Sequence, residues 1–205
     1  MDIKILFGLI AVVCEFAAAV IYYRDIYRGN TKPHLYTVII WSLVMTVGFL
    51  GITVGGGEAG TWALALSTLV MVSLIPISLK WGTTDITNTD RIFLVLALIT
   101  ILPWILTKNP LWSVMLVALI DALGIIPTIR KTYNEPTSEA LPAWILAVAR
   151  STCQIIALGA YTATTLMYPI ELVIADGILV LVIIIRLRSA KKLKQVLFTL
   201  CLEAY

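Results

Sequence analysis

Glu15, Asp121, Arg150 and Asp176 each interrupt a run of apolar residues, and Gln154 follows Arg150 by one helical turn. Carboxyls and a guanidinium so placed can exchange protons, pair with one another, or hold a polar or cationic solute. A charge at the centre of an apolar span costs about 2.5–3.5 kcal/mol on insertion scales unless one of these relieves it. One guanidinium cannot neutralise three carboxyls on separate segments, so at least one acid is expected to carry a proton or to meet water or a cation. The alternative is a structural ion pair of Arg150 with Asp121 or Asp176 that fixes how the segments pack. Glu15, in the stretch "AVVCEFAAAV", is then the surplus acid, expected as a titrating group in a pocket.

Other chemistry is poorly supported. His34 is the sole histidine and falls at a segment boundary, where an interfacial hydrogen bond is expected of it. HExxH, CxxC and GxSxG patterns are absent, so no catalytic set, metal site or cofactor is expected, and the chain does not read as an enzyme. Cys14, Cys153 and Cys201 read as small apolar fillers. Glu135 and Glu139, just ahead of Pro142, read as helix caps.

The elements that must carry these residues are long and greasy. Of 205 residues, 60% are hydrophobic and 13% charged, with a mean hydropathy of +0.97, well outside the range of ordinary globular domains. Apolar windows recur at 5–23, 35–55, 61–81, 91–107, 110–128, 142–162 and 168–187, each near the ~20 residues a helix needs to cross the hydrocarbon. The expectation is an all-α, polytopic membrane protein of seven transmembrane helices, its partner the lipid bilayer. Twelve of the fifteen Lys and Arg residues fall on one side of such a topology, against Lys4 and Lys108 on the other, with Arg150 inside a window. That bias predicts a multi-pass protein of the cell inner (plasma) membrane, N-terminus outside and C-terminus cytoplasmic. It also accounts for the net charge of +3 without nucleic acid.

The chain matches itself at an offset of 106: Glu15 with Asp121, Arg24 with Arg130, Tyr27 with Tyr133, Thr31 with Thr137 and Leu35 with Leu141. This predicts a three-helix repeat over 1–83, a linker helix over 84–108, a second repeat over 109–188 and a basic tail over 189–205. An odd linker makes the repeats parallel, a plan that places a solute site near the midplane between the halves. The tail "RLRSAKKLKQVLFTLCLEAY" predicts either an amphipathic helix on the anionic inner leaflet or a continuation of the last helix into water. "GITVG", with Gly51 and Gly55, permits close helix approach within a protomer or between protomers of a homo-oligomer.

This three-one-three plan, with a proline at the inner end of the fifth window, resembles the SWEET and PQ-loop superfamily of small membrane proteins. "RGNTKPHLYTVIIW" and "DALGIIPTIRKTYNEPTSE" are similar to a prokaryotic group within that architecture. The family's Pro-Gln is here Pro127-Thr128, and the first repeat has Ile21-Tyr22 at the matching place. The resemblance implies transport of a small solute by alternating access, with Pro127 as a hinge and Asp176, in "IADGI", lining the pocket. It implies aromatic pocket residues on the second helix of each repeat, here Trp41 and Trp144. Proton coupling fits the surplus of acids. The competing expectation is a receptor or assembly scaffold of the same architecture that moves no solute.

Overall fold

The computed structural model describes residues 2–30, 33–82, 88–134 and 139–203. Among the described residues the chain is all-helical, at 87% helix, with no strand. Helix α1 (Ile3–Tyr27) starts where the Asp2 carboxylate accepts the Lys4 N–H. Helix α2 (Leu35–Val54) starts at His34, whose Nδ1 accepts the Thr37 N–H at 3.4 Å as a helix cap. A 3-10 turn, Glu58–Thr61, leads into α3 (Trp62–Trp81).

Three segments, Ile3–Tyr27, Leu35–Val54 and Glu58–Trp81, are long and apolar enough to cross a membrane. Only 11% of the most apolar stretch of α1 is buried inside the protein, and Val13, Phe16 and Val20 point outward. Water is a poor solvent for so continuous an apolar face, whereas acyl chains suit it.

Beyond α3 the expected windows and the helices differ in three places. The window 91–107 is two helices, α4 (Asn88–Ile99) and α5 (Ile101–Thr107). Pro103 cannot donate to the Ile99 carbonyl, and the buried Thr100 hydroxyl turns back onto the Ala97 carbonyl at 2.6 Å. The window 110–128 divides at Ile125 into α6 (Pro110–Gly124) and α7 (Ile126–Asn134), two residues before Pro127. Helix α8 (Leu141–Ile156) ends short of 162, and α9 (Ala163–Glu203) begins ahead of 168. The start of α9 is set by Thr162 and Thr165, each of whose hydroxyls accepts the other's backbone N–H.

Helix α9 is continuous from Ala163 to Glu203, with no break at 189. The expected boundary at 83/84 lies outside the described residues. The boundary at 108/109 falls in a turn, where Lys108 has a φ of 56° and Asn109 caps α6.

Helix α3 packs against both α1 and α2, and α9 packs against both α6 and α8. The two groups meet where α1 lies on α8 and α2 lies on α6, while α4 and α5 flank α2 and α6 from outside. Ile40, Val44 and Val47 of α2, Val114 and Val117 of α6, and Tyr168 and Leu172 of α9 form the largest core cluster. The approach of α2 depends on small residues. A Cβ on Gly51 would lie 2.5 Å from Val114 Cγ2, and one on Gly55 would lie 3.0 Å from Thr165 Cγ2. Gly51 and Gly55 thus serve close approach within the protomer, to α6 and to the start of α9.

At the end of the bundle where α1 begins, the α2–α3 and α8–α9 connections are joined through their backbones. Gly159 N–H donates to the Gly57 carbonyl at 3.2 Å, and Ala160 N–H donates to the Gly56 carbonyl at 2.9 Å. Lys4 Nζ donates to the Gly159 carbonyl at 2.9 Å and ties α1 to the same knot.

Candidate functional site

Arg150 is 4% exposed and reaches from α8 toward α1 and α3. Its Nε lies 3.4 Å from Glu15 Oε2, a charge contact without hydrogen-bond geometry. Its Nη1 donates to Ser67 Oγ on α3 at 3.0 Å, and its Nη2 donates to Ser151 Oγ at 3.1 Å. Ser67 in turn donates to the Ala63 carbonyl, so its lone pairs are held toward the guanidinium. The structural alternative paired Arg150 with Asp121 or Asp176; its ion-pair contact is Glu15 instead. The cause is packing, because α1 runs directly along α8 and brings the helix 1 acid to the guanidinium first.

The surplus falls instead on α6 and α9. Asp176 is 6% exposed and lies within electrostatic reach of Arg150 and Glu15. Asp121, half-buried, lies within reach of Asp176 and Arg150. Glu15, Asp121, Arg150 and Asp176 are thus neighbours in one charged zone that crosses between the two helix groups. Gln154 is fully buried, and neither end of its amide has a hydrogen-bond partner in the protein.

Sequence reasoning overlooked Glu171, Tyr168 and Ser67. Glu171 is a fourth carboxyl in an apolar window, five residues before Asp176, and it feels the charges of Asp121 and Asp176. Both its carboxyl oxygens are buried without a partner. Tyr168 is fully buried with an unpartnered hydroxyl, and its ring fills the space a Cβ on Gly48 would take, 2.7 Å away. Glu171 was legible by the same test that found Asp176, an acid among aliphatic residues. Ser67 carried no comparable signal, since a serine in an apolar helix normally bonds its own preceding turn.

The expected aromatic residues separate. The Trp41 indole nitrogen lies 3.8 Å from where a Cβ on Gly124 would stand, so Trp41 sits beside the α6–α7 break near Asp121. Trp144 Nε1 donates to Glu139 Oε2 at 3.1 Å, and its ring packs with Ile125, Ala175, Leu179 and Ile183. Six residues, or about 9 Å of helix, separate it from Arg150, so it stands below the charged zone. Glu139 therefore holds an indole, and no side chain caps α8. Glu135 lies outside the described residues. So does the side chain of Pro127, although its backbone opens α7 immediately after the break.

Among the described residues no group of His, Cys, Asp and Glu has the arrangement of a metal site. Compared with models of known families, with curated proteins and with solved structures, the chain matches none.

Proposed function

We propose that this protein is a membrane transporter for a small solute, alternating access around the zone of Glu15, Asp121, Arg150 and Asp176, with proton movement coupled to the solute. The observation that carries the reading is charge imbalance. Glu15, Asp121 and Asp176 lie within reach of one guanidinium, Glu171 feels only the other acids, and the fully buried Gln154, one turn from Arg150, has an unsatisfied amide. A purely structural pair would use Arg150 and one acid, and selection for stability alone would not retain the others at several kcal/mol of desolvation each. Acids in such a place are the usual material of proton relays.

The contact pattern supports two parallel three-helix repeats joined by α4 and α5. Exchanging α1, α2 and α3 for α6–α7, α8 and α9 turns the α1–α8 contact into the α6–α2 contact, and keeps the third helix of each group between its other two. This is the relation expected for a two-fold axis along the membrane normal. With α4–α5 and α6–α7 counted as one span each, the reading gives seven spans, N-terminus outside and C-terminus cytoplasmic, in the plasma membrane. It resembles the SWEET and PQ-loop plan, with the α6–α7 break at Pro127 as hinge.

The test uses proteoliposomes loaded with the pH-reporting dye pyranine. A labelled diamine, a labelled sugar and a labelled nucleoside are supplied in separate trials, with and without a pH gradient. Protein-dependent uptake of one probe with a matching pH change is the expected result. Folded protein that moves neither probe nor protons beyond empty vesicles overturns the transporter reading and leaves the receptor or scaffold.

A further inference from the structure

The four acids do not stand equally close to the one cation. Glu15 Oε2 lies 3.4 Å from Arg150 Nε, and Asp121 and Asp176 lie within electrostatic reach of the guanidinium. Glu171 feels only like charges, Asp121 from α6 and Asp176 from five residues along α9. Among the described residues, α2, α7 and α8 bring it no charge. Tyr168, three residues earlier and so on the same helix face, brings a buried, unpartnered hydroxyl that feels Asp121, Glu171 and Asp176.

Nothing compensates a charge on Glu171. Both its carboxyl oxygens are buried without a hydrogen-bond partner. The space of about 410 Å³ beside it, between α6–α7 and α9, is walled by Ala122, Ile125, Ile170 and Ile174, whose side chains carry no donor. A carboxylate so placed has neither counter-ion nor donor and faces other acids, whereas a carboxylic acid escapes all three penalties.

We propose that Glu171 is the acid that holds the proton moved with the solute. The inference rests on the transporter reading above and names its proton carrier. At rest Glu171 is a neutral acid, and Arg150 is left to Glu15. The transfer passes a proton from the Glu171 carboxyl to the Asp121 carboxylate; Glu171 becomes the anion, Asp121 the neutral acid, and the charge of the zone is unchanged. Asp121 is the fitting acceptor because it feels both Arg150 and Asp176 and is felt by Glu171, so it joins the cation-free end of the zone to the cation.

The test begins with infrared spectra of the full chain in nanodiscs at neutral pH, with glutamate either unlabelled or isotopically labelled at its side-chain carboxyl. A protonated carboxyl has a C=O stretch that a carboxylate lacks. The expected result is a wild-type band that moves with the label, persists in Glu15→Gln and vanishes in Glu171→Gln. A wild type without that band, or a band that Glu15→Gln removes or Glu171→Gln keeps, overturns the proposal; the wild type and Glu15→Gln decide it alone should Glu171→Gln fail to fold. In pyranine-loaded proteoliposomes, Glu171→Gln is then expected to take up whichever of the labelled diamine, sugar or nucleoside the wild type takes up, without the accompanying pH change. Uptake and pH change that fall together in the variant mark a packing role and overturn the carrier, as does coupling kept at the wild-type ratio. Wild-type protein that moves neither probe nor protons overturns the transport reading itself, and the carrier with it.

Discussion

Arg150 ties α8 to α1 through Glu15 and to α3 through Ser67, so one side chain spans the two helix groups. Removing its charge by Arg150→Met leaves Glu15 uncompensated, which costs roughly 3–5 kcal/mol when no proton relieves it. The double variant Glu15→Leu with Arg150→Met is expected to recover most of that loss, because an apolar pair of similar volume replaces a buried ion pair cheaply. Melting in nanodiscs measures this. Flux from the same samples separates the roles: recovered stability with no flux supports a transport function for the pair, and recovery of both makes it structural. A normal melting temperature for the single variant would show that the ion pair is not formed.

At the scale of helices, the close approach of α2 rests on absent side chains. A Cβ at Gly48 or Gly51 meets the Tyr168 ring or Val114 at 2.7 and 2.5 Å, whereas a Cβ at Gly177 on α9 meets nothing within 4 Å. Gly48→Ala and Gly51→Ala are expected to lose about 1–3 kcal/mol through overpacking. Gly177→Ala, in open helix, is expected to gain about 0.5–1 kcal/mol from its lower backbone entropy. Thermal melts of the three, compared directly, decide it; equal effects would refute the α2–α6–α9 packing. The same helices show what was legible beforehand. Apolar windows located α1, α2 and α3 closely, because hydrophobic length is a local property. The breaks at Thr100 and Ile125 were readable only as prolines, since whether Pro kinks or divides a helix depends on neighbours. The partner of Arg150 was not legible at all: depth along a helix fixes a layer, but rotation and lateral order decide who meets within it.

Across the whole molecule, the connections that join α2 to α3 and α8 to α9 close one end of the bundle. On the transport reading this end is the outer mouth, and opening it requires the Gly159–Gly57 and Ala160–Gly56 bonds to break. A Cβ on Gly56 would stand 3.3 Å from the Ala160 Cβ, close to the roughly 3.5–4.5 Å of a disulfide. In a background with Cys14, Cys153 and Cys201 replaced by alanine, Gly56→Cys with Ala160→Cys is expected to stop flux on oxidation and regain it on reduction. Undiminished flux from the fully oxidised protein would show that this end does not open.

That closure has a consequence for anyone mapping the protein by mutation. Its bonds run between main-chain groups, and Gly56 holds a φ of 89° that larger residues adopt at a cost. Trimming side chains one at a time would leave it untouched and invisible. It would emerge only in a library of additions, at Gly57 and Gly159, where a Cβ would stand 2.5 Å from the Ile52 and Glu58 side chains. The charged zone would give the opposite signature, tolerant of isosteric neighbours yet intolerant of loss.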